Sequence, residues 1–142
     1  MTLQQTITGY RSAVDAFACG DAEPAKWIFS HRDDVTLANP WGPAVRGWQH
    51  VCEALDRSAA KFKEGEVIGI ETMALYESSD LATIIELERW KAKVSGRTEF
   101  SSFELRVTST FRREDAGWKL VHRHADPITA PNPDGPLRRS GD

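Results

Sequence analysis

The sequence predicts an α+β fold in which three helices in the N-terminal half pack on one face of a curved antiparallel sheet of about five strands. Apolar residues recur at helical spacing before about residue 64. Four long segments with alternating character follow, separated by short polar turns. Strands joined by short turns run antiparallel, and long strands twist and curl. Helices followed by strands are typical of the α+β class.

The three helices are predicted from one-sided apolar stripes. The first stripe ends before Gly20, and Asp21 can cap a short second helix. The third helix is expected from about Trp48 to Lys63, with Gly65 as its terminator. The apolar positions of the first helix are Leu3, Ile7, Tyr10, Val14, Phe17 and Ala18.

One short strand and four long strands are predicted. The short strand lies near Asp34–Asn39 and ends in the turn Pro40-Trp41-Gly42-Pro43. The long candidates are Glu66–Tyr76, Leu81–Val94, Thr98–Arg113 and Trp118–Ala125. Proline and glycine are frequent after the last strand, which predicts a single domain over residues 1–128 and a mobile tail over residues 129–142.

Length and charge narrow the function classes. The chain has 142 residues, which suits one domain, and a net charge of −3, which argues against a nucleic-acid partner. It has no run of about 20 apolar residues and no visible secretory signal, and Cys19 and Cys52 do not make a disulfide framework. A cytoplasmic protein without a membrane partner is therefore expected.

Three segments of the sequence carry a family resemblance. They are Asp33–Gly42 with the following Arg46-Gly47, Arg106–Arg113, and Gly117–Asp126. In these segments the chain resembles the nuclear-transport-factor-2-like superfamily, and within it the SnoaL-like and ketosteroid-isomerase-like proteins. The last two segments also resemble the association domain of calmodulin-dependent kinase. The resemblance implies a cone-shaped, cystatin-like α+β roll around a pocket for a small apolar ligand or substrate, and a homodimer formed through the sheet.

The resemblance also implies two alternative functions. One is cofactor-free isomerase, cyclase or dehydratase chemistry on an apolar carbonyl compound; the other is a non-catalytic ligand-binding or assembly module. The isomerases carry a basic aspartate where this chain has Asn39, and a tyrosine at the position that falls at Ala13. Tyr10 lies one turn earlier. Steroid-type isomerisation is therefore not expected, and Asn39 either orients a ligand carbonyl or caps the turn at Pro40.

Which sheet face lines the pocket stays open at the level of sequence. The segment Thr98–Arg113 has apolar odd positions and polar even positions. A simple two-layer domain would bury the odd face against the helices. The resemblance to the kinase domain instead turns inward the residues Glu86, Glu88, Trp90, Arg106, Thr108, His122 and His124.

The candidate catalytic residues are His124 and Asp126. A histidine titrates near neutrality, and SnoaL-like cyclases pair a histidine with an aspartate, so His124 with Asp126 or Asp34 predicts an acid–base pair. A purely structural hydrogen bond is the alternative. His122 and His124 could also bind a metal with Glu88 or Asp126, but nothing fixes a third ligand and no metal site is expected.

The candidate ligand-binding residues are Asn39, Trp41, Glu88, Trp90, Arg106 and His122. An inward Glu88 or Glu104 paired with Arg106 could hold a polar ligand, and the alternative is a solvated strand face or a salt bridge at a dimer rim. Trp41, in its proline-rich turn, is the better ligand contact among the tryptophans, which otherwise belong to cores or interfaces.

Overall fold

The computed structural model of the protein describes residues 1–137. It contains α1 Leu3–Ala18, α2 Glu23–Ile28, β1 Thr36–Asn39, β2 Gly42–Arg46, α3 Trp48–Ala59, β3 Phe62–Glu77, β4 Leu81–Val94, β5 Ser101–Glu114 and β6 Gly117–Asp126. No helix within this described part of the chain is long and apolar enough to cross a membrane. Residues 133–136 form a turn, residues 138–142 of the expected tail lie outside the described residues, and the mobility of the tail stays a prediction.

The strands form one curved sheet in the order β2-β1-β6-β5-β4-β3. The predicted antiparallel meander is confirmed for β3 to β6. Two features differ from the prediction: β1 pairs with β6 in parallel, and β2, which the sequence suggested was only a turn, pairs with β1. Pro43 lies in β2, at the sheet edge, where a strand tolerates a residue without an N–H donor.

The boundary between α3 and β3 also differs from the prediction. α3 ends at Ala59, and Gly65 lies inside β3 rather than ending the helix. A Cβ on Gly65 would lie 2.4 Å from the carbonyl oxygen of Ala18 and 2.6 Å from Cβ of Ala92. Gly65 therefore marks a close approach between the end of α1 and the sheet.

The helices cover one face of the sheet and bury its side chains. α1 begins with a capping box formed by Thr2 and Gln5 and runs along β3, where Asp15 accepts a hydrogen bond of 2.9 Å from the Val67 N–H. Its buried positions face the sheet together with those of α3. The core therefore lies between the helices and the concave face of the sheet, and this concave face is called the inner face below.

The inner face corrects part of the predicted orientation. Glu86, Glu88 and Trp90 on β4 point inward, as predicted. On β5 the inward residues are the odd, apolar ones, because Glu88 lies opposite Leu105 in the register and partners across a ladder share a face. The residues predicted inward that instead point to the outer face are Arg106, Thr108, His122 and His124. Burial of the apolar side chains of β5 against the helices explains this orientation.

Candidate functional site

A partly open cavity lies between the three helices and the inner face. Its volume is about 60 Å³, room for roughly four to six water molecules at about 10–15 Å³ each. Sites for drug-sized ligands hold about 300–1,000 Å³. A ligand of that size would therefore extend beyond the cavity or displace part of its wall. The walls are mainly apolar and include Val14, Phe17, Phe29, Leu37, Leu105 and Ala125.

An aromatic cluster forms one wall of the cavity. The ring of Phe62 lies 5.1 Å from that of Trp90, and Trp90 stacks on Phe103 at 5.5 Å. Trp41, in the β1–β2 turn, meets Phe62 edge-on at 5.8 Å and is 42% exposed. Trp41 therefore spans from the cavity to solvent. Both Trp41 and Trp90 line the cavity, and their role as ligand contacts stays a prediction.

The polar end of the cavity is formed by Tyr10 and Arg123. The guanidinium of Arg123 donates two parallel hydrogen bonds to Glu88, from Nη1 to Oε2 and from Nη2 to Oε1, both of 2.9 Å. The indole Nε1–H of Trp90 donates to Oε1 of Glu88 at 3.0 Å. Glu88 is 1% exposed and does not line the cavity, whereas Arg123 does. The predicted ligand residue Glu88 thus supports the cavity wall from behind.

The Tyr10 hydroxyl completes this network. It accepts a hydrogen bond from Nη1 of Arg123 and shares another of 2.6 Å with the hydroxyl of Ser109. Burial raises the pKa of Tyr10 to about 12, so the phenol stays neutral and keeps its proton. A neutral hydroxyl beside a guanidinium can donate to an oxygen atom on a ligand.

Glu88 carries the negative charge of the network. Burial opposes ionisation of Glu88, but the charge and hydrogen bonds of Arg123, with the bond from Trp90, keep its pKa below the ordinary value. Burial also opposes the charged form of Arg123 and would by itself lower the pKa of the guanidinium. The charge and hydrogen bonds of Glu88 outweigh this effect and raise the pKa of Arg123. Both Glu88 and Arg123 are therefore charged, and the net charge of the pair is close to zero.

Asn39 caps the turn, one of the two roles that the sequence left open, and its role in orienting a ligand carbonyl stays a prediction. Its Oδ1 accepts a hydrogen bond of 3.0 Å from the Trp41 N–H, which caps the turn, and its Nδ2 donates to the hydroxyl of Ser58 at 3.0 Å. Asn39 and Ser58 also line the cavity. The side chain is therefore held in place at the wall, next to Trp41.

The predicted acid–base pair lies on the outer face. Nε2 of His124 is 3.3 Å from Oδ2 of Asp126, and Arg106 donates to the same carboxylate at 2.7 Å. The side chain of His124 is 50% exposed. Asp34 does not join this pair, because both of its oxygens bind Arg112, at 2.7 and 3.0 Å. A catalytic role for His124 and Asp126 stays a prediction, and the cavity does not contain them.

The remaining predicted site residues also lie outside the cavity. His122 hydrogen-bonds with the Thr36 hydroxyl at 2.8 Å on the outer face. Because Glu88 is on the opposite face, the proposed metal set of Glu88 with the two histidines is not brought together. The predicted salt bridge of Arg106 with Glu88 or Glu104 is also wrong, since Arg106 binds Asp126 and Glu104 binds Arg89 at 3.0 Å.

Sequence reasoning missed Arg123 and Ser109 and placed Tyr10 outside the site. Ser109 lies opposite Arg123 in the β5–β6 register, so both side chains point inward. The available signal was the apolar odd face of β5, which would have turned Arg123 inward between the two histidines. Tyr10 and Ala13 both line the cavity, one helical turn apart, so the earlier position of Tyr10 does not keep it from the site.

A second buried carboxylate lies beside this network on β4. Glu86 accepts hydrogen bonds from Arg11 at 2.7 Å and from Thr72 at 3.2 Å. Its other oxygen, Oε1, has no hydrogen-bond partner among residues 1–137. Glu86 does not line the cavity, so it forms part of the support between α1 and the sheet.

Comparison with known proteins gives the family. The model of the SnoaL-like domain matches residues 8–130. A search among curated proteins found no match. A nuclear transport factor 2 (NTF2-like) superfamily protein from Salmonella enterica serovar Typhimurium is similar in structure, with a TM-score of 0.76, 16% identity, and coverage of 94% of this chain and 93% of that one.

Two further solved structures show the same fold. A ketosteroid isomerase-like protein from Erwinia carotovora atroseptica has a TM-score of 0.73 and 15% identity, over 90% of this chain and 95% of that one. A proposed dehydratase of the NTF2-like family from Streptomyces avermitilis has a TM-score of 0.67 and 20% identity, over 90% and 94%. At these identities the likeness carries the fold alone, and the family follows from the match over residues 8–130: the chain belongs to the SnoaL-like domain family.

Proposed function

We propose that this protein binds a small, largely apolar molecule that carries one hydrogen-bond-accepting oxygen. The observation that carries the proposal is the cavity itself, which has aromatic and aliphatic walls and a polar end formed by Tyr10 and Arg123. Apolar sites with a few convergent polar groups are typical of small-molecule binding. The ring of the ligand would lie against Phe62 and Trp90, with its oxygen near Tyr10.

The first test compares two tyrosine variants. Acetophenone is a suitable probe because it is a planar, apolar molecule with one carbonyl oxygen. Tyr10→Phe keeps the ring and removes the hydroxyl, so we expect acetophenone binding, measured by ligand-observed NMR, to weaken on the order of tenfold, the value of one hydrogen bond. Tyr76→Phe is the matched control, since Tyr76 is 65% exposed on the opposite side of the sheet.

The same titration can contradict the proposal. Equal weakening in both variants would show that the effect does not come from the cavity. Absence of binding to the wild-type protein, by NMR and by thermal shift across a panel of apolar carbonyl compounds, would reject the proposed class of ligand, since a ligand that binds only the folded state must raise its stability.

A cofactor-free isomerase, cyclase or dehydratase is the second candidate. The neutral hydroxyl of Tyr10 favours it, because a hydrogen-bond donor beside a carbonyl oxygen stabilises the negative charge that develops when solvent water or hydroxide removes the α proton. Exchange of the methyl hydrogens of acetophenone with solvent deuterium, followed by proton NMR, tests this candidate. Exchange that exceeds the buffer rate and is lost in Tyr10→Phe would support catalysis, and binding without exchange would leave the ligand-binding function alone.

The proposal includes a homodimer formed through the outer face. Ile85 and Leu87 are half-buried apolar side chains on the outer face of β4, and Tyr76 lies beside them on β3. A second copy would cover this apolar strip. The outer-face histidines His122 and His124 both lie on β6, two strands away from β4 in the sheet.

A further inference from the structure

Glu88 governs the charge that a ligand meets at the polar end of the cavity. Arg123 lines the cavity, but both of its terminal nitrogens already bind Glu88. Glu88 does not line the cavity. Its two oxygens accept hydrogen bonds from Arg123 and Trp90, and the residue is 1% exposed. A ligand therefore approaches a cation whose charge is already cancelled.

This arrangement treats neutral and anionic ligands differently. A ligand carboxylate at Arg123 would lie close to the carboxylate of Glu88 and would lose its water shell on entering an apolar cavity. A neutral carbonyl oxygen is repelled less by Glu88 and loses less hydration energy than a carboxylate does. Nε of Arg123 makes no hydrogen bond within residues 1–137, so its N–H is available to a neutral oxygen.

We infer that Glu88 is a specificity-determining residue that makes the pocket select neutral carbonyl ligands, such as ketones, esters and amides, over carboxylates. The inference rests on the proposed ligand-binding function and names the charge class of its ligand. Glu88 acts through Arg123 and does not touch the ligand. The indole N–H of Trp90 donates to Oε1 of the same carboxylate and helps to fix its orientation.

The test compares acetophenone with benzoate, which shares the ring and differs in charge at pH 7. The wild-type protein is expected to bind acetophenone more tightly. In Glu88→Gln the charge of Arg123 is no longer cancelled, so we expect benzoate to gain on the order of tenfold to a hundredfold in affinity, the effect of removing a nearby like charge at a partly shielded site. The affinity for acetophenone should change less, which reverses or removes the preference.

Glu104→Gln is the matched control for this change. It removes the same charge from the same sheet, but Glu104 binds Arg89 on the outer face. The Glu104→Gln protein should show the same preference between acetophenone and benzoate as the wild type. Glu88→Asp is the second variant, since it keeps the charge while shortening the side chain, and it should keep the preference for acetophenone even if Glu88→Gln does not fold.

Each outcome bears on a distinct claim. Wild-type protein that binds benzoate as tightly as acetophenone overturns the inference without touching the proposed binding function. A Glu88→Gln protein with unchanged preference, or a Glu88→Asp protein that prefers benzoate, also overturns the role of the Glu88 charge. Wild-type protein that binds neither probe, nor any other apolar carbonyl compound, rejects the proposed function and the inference with it.

Discussion

At the scale of single residues, individual hydrogen bonds determine how much the buried charges lower the stability of this protein. A buried ion pair is weak evidence for stability, because desolvation of both charges offsets their attraction. The Glu88–Arg123 pair reduces this cost with two parallel hydrogen bonds and a third from Trp90. Removal of one partner from such a pair typically costs about 3–5 kcal/mol. Glu88 and Arg123 are therefore expected to be more sensitive to substitution than the exposed pairs of the outer face.

His122 gives a prediction about pH. Burial lowers the pKa of His122, the nearby His124 lowers it further, and the hydrogen bond with Thr36 opposes both. The unfolded chain therefore binds a proton at His122 at a higher pH than the folded protein does. The ordinary pKa of histidine is about 6.5. Below this pH, the difference in pKa between the unfolded and the folded chain lowers the free energy of unfolding as the pH falls.

His122→Gln should flatten that dependence. Urea unfolding at pH 7 and at about pH 5.5 measures the change in a range where ordinary carboxylates, with pKa values near 4, remain mostly charged. His50→Gln is the control, since His50 is an exposed residue of α3. If the His122 variant loses as much stability between the two pH values as the wild type does, the titration of His122 is not the cause.

At the scale of elements, the contact between α1 and β3 depends on one glycine. Gly65 leaves no room for a Cβ between the carbonyl of Ala18 and the side chain of Ala92, and the Cys19 thiol donates to the Gly65 carbonyl at 3.0 Å. Gly65→Ala should therefore lower the free energy of unfolding by about 1–3 kcal/mol, the usual cost of overpacking. Thermal and urea unfolding measure this change.

Gly69→Ala is the matched control on the same strand. A Cβ there would meet its nearest neighbour, Nη1 of Arg89, at 3.6 Å, which is an ordinary contact. We expect this variant to stay within about 0.5 kcal/mol of the wild type, as surface substitutions usually do. Equal losses in the two variants would point to a general cost of alanine in β3 rather than to the approach of α1.

The elements also show which signals a sequence carries. Strand and helix patterns depend on neighbouring residues, so α1, the meander from β3 to β6 and their turns were predictable. β2 was not, because Pro43 and its flanking turn residues resemble a loop and only pairing with β1 makes this segment a strand. Gly65 resembles a helix terminator for the same reason, since its contact with Ala18 is distant in sequence.

At the scale of the whole molecule, the orientation of the sheet decides which residues can form the site. The alternation of β5 contained the correct orientation, with Leu105 and Val107 turned to the helices. The resemblance to an assembly domain favoured the opposite face and so replaced Arg123 by its neighbours His122 and His124. Asn39, Trp41 and Trp90 were found correctly as cavity residues because their positions do not depend on the orientation of β5 and β6.

The outer face gives the prediction for the whole molecule. A dimer through this face should give a mass in solution of twice 15.9 kDa, and a stable interface of this kind buries about 800 Å² per partner. Ile85→Asp places a charge in the centre of the apolar strip and should shift the protein to monomers in sedimentation velocity. Leu75→Asp is the control, because Leu75 lies opposite Ile84, on the helix side of the sheet. A monomeric wild type would reject the dimer. Dissociation of both variants would indicate an interface near the edge strand β3. Dissociation of Ile85→Asp alone would indicate that the outer face joins two copies, which leaves the inner face of each copy free to bind a ligand.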